Sequence, residues 1–160
     1  MPGQESLRRQ QYYAHPRNAF WFIMNSLIDL KEGTSYIERL DFLKKNQISL
    51  WDVIGNCIRP SSLDSDIVNL SEVPNKLDEF CRRHPELEAI AFNGRKARNS
   101  FTRHFLRPNK TRWQNLKLID LPSTSPAHAA LRPPAKLKLW QKSLIPFLTP
   151  SPKTKHLSNL

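Results

Sequence analysis

The sequence has few of the residues from which metal clusters and phosphate loops are built. Its 160 residues include two cysteines, Cys57 and Cys81, and four glycines. The cysteines show no CxxC or other ligand spacing, which argues against a zinc finger or a four-cysteine iron–sulfur cluster. The glycines do not cluster, so a glycine-rich phosphate loop, and with it nucleoside triphosphate hydrolysis, is excluded. We predict neither a metal nor a cofactor.

Long apolar runs are also missing. No stretch reaches the roughly 18 consecutive apolar residues of a transmembrane helix, and the first residues lack the apolar core of a signal peptide. Two cysteines without a pairing pattern are typical of reduced, buried thiols. We therefore expect a bacterial-type cytoplasmic protein without a membrane partner.

Acidic residues are scarce in the second half of the chain. Residues 95–160 hold 14 Lys and Arg against one acid, Asp120, whereas residues 1–94 hold 11 against 13 acids. A half-molecule this basic favours a polyanionic partner, because Lys and Arg neutralise phosphates and release their counterions. The alternative is a solvated basic surface with a basic tail. Nucleic acid is the interpretation we favour.

Periodicity and turn residues predict alternating helices and strands. Helices are expected over residues 18–31, 35–45, 74–84, 95–106 and 134–144. Strands are expected over residues 48–54, 87–92 and 115–121, the first of them buried on both faces. Such alternation indicates βαβ units and a parallel sheet between helical layers. We expect one domain over residues 1–144 and a basic, proline-containing tail over 145–160.

Two helix starts carry specific signals. Ser35 and Glu38 have the spacing of a capping box, and Pro74 suits the first position of a helix. Asn18 stands where an N-cap belongs, because Pro16 favours an extended chain at His15 and an apolar helical repeat begins at Phe20. By local pattern alone Asn18 is a capping residue at the mouth of a buried helix.

Two segments resemble motifs of a known family. The first is Pro2-Gly3 followed by Tyr12-Tyr13-Ala14-His15-Pro16-Arg17-Asn18-Ala19-Phe20-Trp21, and the second is Leu121-Pro122-Ser123-Thr124-Ser125-Pro126-Ala127. Together with the loops at 59–64 and 92–97, they resemble the uracil-DNA glycosylase superfamily over about residues 2–141. The chain is most similar to the hypoxanthine (deoxyinosine) DNA glycosylases of that superfamily.

The resemblance implies an α/β fold, a three-layer α/β/α sandwich with a short central parallel sheet. The family has a strand that runs into a Gly-Ser-Met-Pro-Gly motif, and this sequence begins at the Met of that motif. We therefore expect the first strand of the sheet to be missing from this sequence, either because the true start codon lies upstream or because the chain is a shortened relative. Ser61 stands where the family's Arg-x-Gly-Ser-x-Asp loop has Gly, a substitution that is costly only if the backbone there requires a positive φ.

The resemblance also implies roles for individual residues. Asn18 matches the catalytic Asn that positions water or bonds the base. Gly3, Tyr13 and Asn93 are expected to bind the base through backbone N–H groups, stacking and hydrogen bonding respectively. The expected DNA contacts are Arg17, Arg59, Ser62, Ser123, Thr124, Ser125 and His128.

Structural alternatives remain for several of these residues. Tyr13 could belong to the core, Asn93 and Gly94 could form a simple turn, and the hydroxyl-rich loop after residue 121 could be a turn as well. His15 and His128 are candidate donors that could equally be structural.

The implied function is a DNA glycosylase that acts in base excision repair on deaminated bases, hypoxanthine first and uracil second. Neither motif contains a lysine, so we expect a monofunctional enzyme that leaves an abasic site. Its expected partner is DNA with a deaminated base, bound by a monomer that is nucleoid-associated on DNA. The alternative is a catalytically inactive, basic nucleic-acid-binding relative of the glycosylases.

Overall fold

The computed structural model of the protein describes residues 2–61 and 63–148. Ser62 and most of the predicted tail, residues 149–160, lie outside the described residues. The six α-helices of the described part are α1 Gln4–Arg9, α2 Phe20–Ile28, α3 Tyr36–Lys45, α4 Leu77–Arg83, α5 Arg95–Phe101 and α6 Pro133–Leu144. Helix α5 continues as a π-helical turn over Thr102–Leu106. None of the described helices is both long and apolar enough to cross a membrane.

Four short strands form two separate sheets. Strands β3, Ala89–Asn93, and β4, Lys117–Leu121, run parallel and pair in register from Ala89 with Lys117 to Asn93 with Leu121. Strands β1, Ile54–Asn56, and β2, Val73–Pro74, form an antiparallel pair. The predicted parallel pair is confirmed, with each strand starting two residues later than expected.

The predicted strand over residues 48–54 is wrong. Only Ile54 of that run enters a strand, and it pairs with Pro74 rather than with the parallel sheet. Trp51, expected to be buried, is 42% exposed. A β-rich apolar run fits a pleated surface but does not select its partner strand, so the local antiparallel contact decides the pairing here.

Pro74 does not begin a helix. It is the second residue of β2, and helix α4 starts three residues later at Leu77. An edge strand tolerates proline because no backbone N–H is needed on its outer side. The capping box at α3 is confirmed: the Ser35 Oγ accepts from the Glu38 N–H, and the Glu38 carboxylate accepts from the Ser35 N–H at 2.8 Å.

Two apolar clusters lie on opposite faces of the parallel pair. Helices α2, α3 and α6 pack on Ile119 and Leu121 of β4, and α4, α5 and the π-helical turn pack around Phe92 of β3. This is a helix–sheet–helix arrangement in three layers, as expected from the resemblance. The buried residues of α2 are Phe20, Trp21, Ile23, Met24 and Ile28.

One edge of β3 has no strand beside it among the described residues. Hydrogen bonds from the Lys117 N–H to the Glu88 carbonyl and from the Gly94 N–H to the Leu121 carbonyl fix which residues face β4. Alternate residues of a strand direct their backbone groups to opposite edges. The N–H and C=O groups of Ala89, Ala91 and Asn93 therefore point away from β4.

Candidate functional site

A large cavity lies beyond the carboxyl end of β3 and along its open edge. It measures about 1210 Å³ and is lined on one side by residues of the segment 12–18, called here the first rim segment, and on the other by residues of the segment 123–128, called here the second rim segment. The carboxyl ends of parallel strands are where ligands bind in open α/β sheets. The predicted residues that line the cavity are Gly3, Tyr13, His15, Asn18, Asn93, Ser123, Thr124, Ser125 and His128.

The first rim segment is held by aromatic packing and a strained residue. Tyr13 has a φ of 55°, an unusual conformation for a bulky side chain that costs about 1–3 kcal/mol. Its ring stacks on Phe20 with 3.9 Å between centroids. The Trp21 indole Nε1–H donates to the Tyr12 carbonyl at 3.1 Å, which ties the segment to the start of α2. A backbone outlier of this kind is commonly kept at functional sites.

The predicted N-cap is wrong by one residue: Ala19 is the N-cap of α2, and Asn18 stands just before it and lines the cavity. Its Oδ1 accepts from the Phe20 N–H at 3.0 Å, and its own N–H donates to the His15 carbonyl at 2.8 Å. Because a backbone N–H can only donate, the atom facing Phe20 is the oxygen of the carboxamide. The Nδ2 group has no partner among the described residues and remains a hydrogen-bond donor at the cavity wall.

The second rim segment is a chain of hydroxyl-stabilised turns. The Ser123 Oγ accepts from the Ser125 N–H, and the Ser125 Oγ accepts from the Ala127 N–H, both at 3.2 Å. Each hydroxyl uses a lone pair in this way and keeps its O–H to donate. Two such donors on one loop are suited to the oxygens of a phosphate.

Thr124 joins three parts of the site. It is fully buried, its N–H donates to the Asn93 Oδ1 at 2.9 Å, and its Oγ1 accepts from the Asn93 Nδ2 at 2.8 Å. Its carbonyl accepts from the Ala19 N–H at 3.0 Å, next to Asn18. The end of β3 and both rim segments are thus connected through one buried residue.

These bonds bear on the expected roles of two residues. The Thr124 side chain is fully buried and bonds Asn93 in this structure, and the DNA contact expected of it stays a prediction. Both polar ends of the Asn93 carboxamide bond Thr124, so in this structure Asn93 holds the loop instead of presenting a free amide to a base. Burial and this reciprocal pairing could not be read from the Asn-Gly sequence.

Gly94 allows the end of β3 to approach the second rim segment. Its φ is 95°, and a Cβ atom placed there would lie 2.9 Å from the Cβ of Ser123. Glycine is required on both counts, because other residues avoid this φ and would clash with the second rim segment. Gly3 differs: its φ is −75°, and a Cβ would meet nothing within 4 Å.

The expected arginine contacts occupy different places. Arg17 is an exposed residue of the first rim segment and lines neither the cavity nor the cleft next to it. The Arg59 guanidinium donates from Nη2 to the Pro2 carbonyl at 2.7 Å, so it fixes the strand-like start of the described chain. Ser61, two residues on, is not among the residues with positive φ, so the cost of replacing glycine does not arise.

The two histidines of the rims differ in their surroundings. The His15 Nδ1 accepts from the Arg17 N–H at 3.1 Å, which places any proton of the neutral ring on Nε2. The His128 Nδ1 atom is buried and has no hydrogen-bond partner among the described residues. A buried, unpaired ring nitrogen at a cavity is a place where a ligand atom can complete the bonding.

Glu72 is a buried carboxylate that the sequence did not single out. Its side chain is fully buried and contacts Lys96 Nζ, His104 Nε2 at 2.9 Å and Arg103 Nη1 at 3.3 Å. Burial raises the pKa of Glu72, but the hydrogen bonds from Lys96 and His104 outweigh it and hold the pKa below the ordinary value. The network fastens the chain before β2 to α5 and its π-helical turn, and Lys96 also lines the cavity.

Lys136 was also missed. It is 3% exposed, and its ammonium donates to the Ser125 carbonyl at 3.2 Å behind the second rim segment. Burial lowers the pKa of this lysine. Its position one helical turn into α6, beside a proline-rich N-terminus, was the available signal, but an isolated lysine in an amphipathic helix is usually solvated.

Within residues 2–61 and 63–148, no three His, Cys, Asp or Glu side chains are grouped closely enough to hold a metal ion. The absence of a metal stays a prediction.

Comparisons with known proteins give two kinds of similarity, while no protein-family model matches the chain. A hypoxanthine DNA glycosylase of Methanosarcina barkeri is 38% identical over 99 residues, and one of Methanosarcina acetivorans is 40% identical over 98 residues. Each match covers 61% of this chain and 61% of the relative. The chain thus spans less than two thirds of the length of these curated relatives.

A solved structure matches over a larger part. The solution NMR structure of a provisionally named uracil DNA glycosylase from Methanosarcina acetivorans has a TM-score of 0.71 and 31% sequence identity. The match covers 91% of this chain and 85% of that one. Similarity at this identity and coverage extends to family as well as fold.

Proposed function

Because the chain belongs to the uracil-DNA glycosylase superfamily, we propose that it is a DNA glycosylase that hydrolyses the N-glycosidic bond of deaminated bases. Hypoxanthine is the first proposed substrate base, in keeping with the two Methanosarcina relatives, and uracil is the second. The observation that carries the proposal is the cavity between the two rim segments, with the Asn18 carboxamide fixed at its wall.

The base has to leave the duplex before it can be attacked. Extrusion costs a few kcal/mol and is cheaper for a damaged or mispaired base, which contributes to selectivity. The extruded base would enter the cavity and stack against the first rim segment at Tyr13. The hydroxyls of Ser123 and Ser125 and the unpaired Nδ1 of His128 would hold the phosphates of the same nucleotide.

Bond cleavage leaves positive charge on the sugar and negative charge on the departing base. An amide has no basic lone pair comparable to a carboxylate, so Asn18 must act by orientation and by electrostatics. With Oδ1 held by the Phe20 N–H, the Nδ2 group is the donor offered to the base or to the attacking water. Backbone N–H groups near Gly3 would add further donors where charge develops.

The lysines of the site support a monofunctional enzyme. The cavity is lined by Lys44 and Lys96, and the Lys96 ammonium contacts the buried Glu72 carboxylate. An ammonium group held in an ion pair has no free lone pair and is not a nucleophile. Lys136 does not line the cavity. The expected product is therefore an abasic site, with the DNA backbone left intact, as a first step of base excision repair.

The test uses duplex oligonucleotides with a single deoxyinosine or deoxyuridine, treated with alkali after incubation. We expect strand cleavage only after alkali, and faster release of hypoxanthine than of uracil. Asn18→Ala should lower the single-turnover rate at least about 100-fold, the scale set by loss of a positioned polar group in the transition state. Asn99→Ala, at an exposed position of α5, is the matched control.

A second candidate function is supported by the charge of the chain. Residues 95–160 hold 14 Lys and Arg against one acid, a balance that suits a polyanion and does not require catalysis. A catalytically inactive nucleic-acid-binding relative would bind DNA with strong salt dependence and no preference for damaged bases. Binding of that kind, with no base released by a folded chain, would replace the enzymatic proposal with this one.

A further inference from the structure

A second cleft shares a wall with the cavity. It measures about 480 Å³, and Tyr13, His15 and Asn18 line both spaces. The first rim segment is therefore a partition between them. The remaining lining includes Arg9, Trp21, Phe22, Tyr36 and Arg39.

The charge in this cleft is of one sign. Its lining contains two guanidinium groups, those of Arg9 and Arg39, and no Asp or Glu. Arg9 is already paired with Glu5 of the same helix. Arg39 has no carboxylate within ion-pair distance among the described side chains, so its charge is available to a ligand.

Arg39 is oriented before any ligand arrives. Its Nε donates to the Thr34 carbonyl at 3.0 Å, and its guanidinium lies over the Trp21 ring, 5.2 Å from the centroid. Tyr36, one turn earlier on the same face of α3, accepts from the Tyr12 N–H through its hydroxyl at 2.9 Å and ties α3 to the first rim segment. A guanidinium held by Nε and by a ring face keeps its two Nη groups as a fork that matches phosphate oxygens.

We infer that the second cleft binds a backbone phosphate of the DNA strand that flanks the extruded nucleotide, with Arg39 as the phosphate ligand. A DNA strand whose extruded nucleotide lies in the cavity continues through the neighbouring phosphate. That phosphate reaches the second cleft by passing over the first rim segment, which separates the two spaces. Phe22, which is 45% exposed at the edge of this cleft, supplies an apolar surface for the adjoining sugar or base. The inference rests on the proposed DNA substrate but does not require catalysis.

The experiment measures the salt dependence of binding by the full chain. The probe is a fluorescent duplex with one tetrahydrofuran abasic-site analogue, and affinity is followed by anisotropy over a series of KCl concentrations. For Arg39→Gln we expect the dissociation constant to rise about tenfold or more, because a charge-assisted bond is lost. The slope of log affinity against log salt should become shallower by about 0.9, the contribution of one phosphate.

Two further variants make the result interpretable. Arg82→Gln changes the net charge equally at an exposed position of α4 that lines neither space, and it should leave the slope within error of wild type. Arg39→Lys keeps the charge without the fork and should retain the slope while weakening binding. An Arg39→Gln protein that melts like wild type but binds with an unchanged slope would overturn the inference.

Failure of the proposed function gives a different pattern. If no base is released from any oligonucleotide but the slope changes only for Arg39→Gln, the phosphate site stands and the glycosylase proposal falls. If base release is normal and Arg39→Gln, Arg82→Gln and wild type share one slope, the phosphate site falls alone.

Discussion

Thr124→Val tests the contribution of the Thr124 hydroxyl alone, because the backbone of this residue, which joins the two rim segments, is unchanged. Valine has nearly the shape of threonine, so the fully buried position stays filled. The backbone bonds to Asn93 and Ala19 can persist, and only the Oγ1 acceptor for the Asn93 Nδ2 disappears. The Asn93 carboxamide then keeps its bond from the Thr124 N–H but loses the second of the two bonds that hold the second rim segment against the end of β3.

The magnitudes follow from the contacts. Leaving a partly buried donor without its acceptor costs about 1–3 kcal/mol of the free energy of unfolding. Thr124→Ser is the matched variant, because it keeps Oγ and loses one methyl group, at about 1 kcal/mol. The two proteins should therefore have similar stability but differ in the position of the Ala19 N–H and of Asn18 beside it. A displacement near 1 Å at a reacting group costs up to about 100-fold in rate.

Urea unfolding gives the stabilities, and single-turnover release of hypoxanthine gives the rates. We expect Thr124→Val to be slower than wild type by about 10- to 100-fold, with unchanged affinity for an abasic-site duplex, and Thr124→Ser to stay within about threefold. Equal single-turnover rates for the valine and serine variants would refute the argument that the hydroxyl positions Asn18. Loss of DNA affinity in Thr124→Val alone would point instead to a direct contact with DNA.

Two other perturbations address separate parts of the site. Gly3→Ala should change the free energy of unfolding by less than about 1 kcal/mol, because its φ suits alanine and a Cβ meets no neighbour. It should nevertheless lower kcat/KM at least tenfold if a base approaches this backbone; a fully active Gly3→Ala protein would remove Gly3 from the base site. Glu72→Gln should cost about 1–3 kcal/mol at neutral pH, since Lys96 and Arg103 are only partly desolvated. Because the folded pKa of Glu72 is lowered, the wild type should lose this contribution as pH falls below about 4.5 through that pKa, while Glu72→Gln shows a flatter pH profile of unfolding; parallel profiles would contradict the role given to the carboxylate.

The fold could be predicted where local pattern and burial agree. The apolar spacing from Phe20 to Ile28 gave α2, and the Ser35 and Glu38 capping box gave the start of α3. The short apolar runs that became β3 and β4 are central and covered by helices, so their composition matches their environment. The run at residues 48–54 has the same composition, but among the described residues only its last residue, Ile54, pairs with a strand, and Trp51 is exposed.

Helix α1 could have been found from its charges. Glu5 stands three and four residues before Arg8 and Arg9, and both pairs form on one face of the helix. Such pairs support a short helix only weakly, and no helix was predicted before residue 18. Gly3 and Tyr13 line the cavity, and the binding of a base by them stays a prediction.

The hydrogen bonds within the site were harder to predict than the residues that line it. The motifs brought Asn18, Asn93 and the 123–128 loop to one place because strand ends of a parallel sheet meet at one edge. Which of these side chains faces a ligand depends on pairings over 31 residues of sequence, as between Asn93 and Thr124. The network around Glu72 and the buried Lys136 depends on similar long-range partners, which the local sequence does not identify.

The unpaired edge of β3 affects whether the protein associates with other molecules. Backbone groups of Ala89 and Ala91 are recognised by any extended peptide irrespective of its side chains, and Ala91 is exposed in the middle of the strand. Edge strands of native sheets are generally protected from such pairing by charged residues or proline. The sequence of β3, Ala-Ile-Ala-Phe-Asn, contains neither. Self-association of the monomer expected from the sequence should therefore begin at this edge, where a strand of a second molecule can pair with β3 at high protein concentration. Ala91→Lys is the simplest substitution to prevent this pairing.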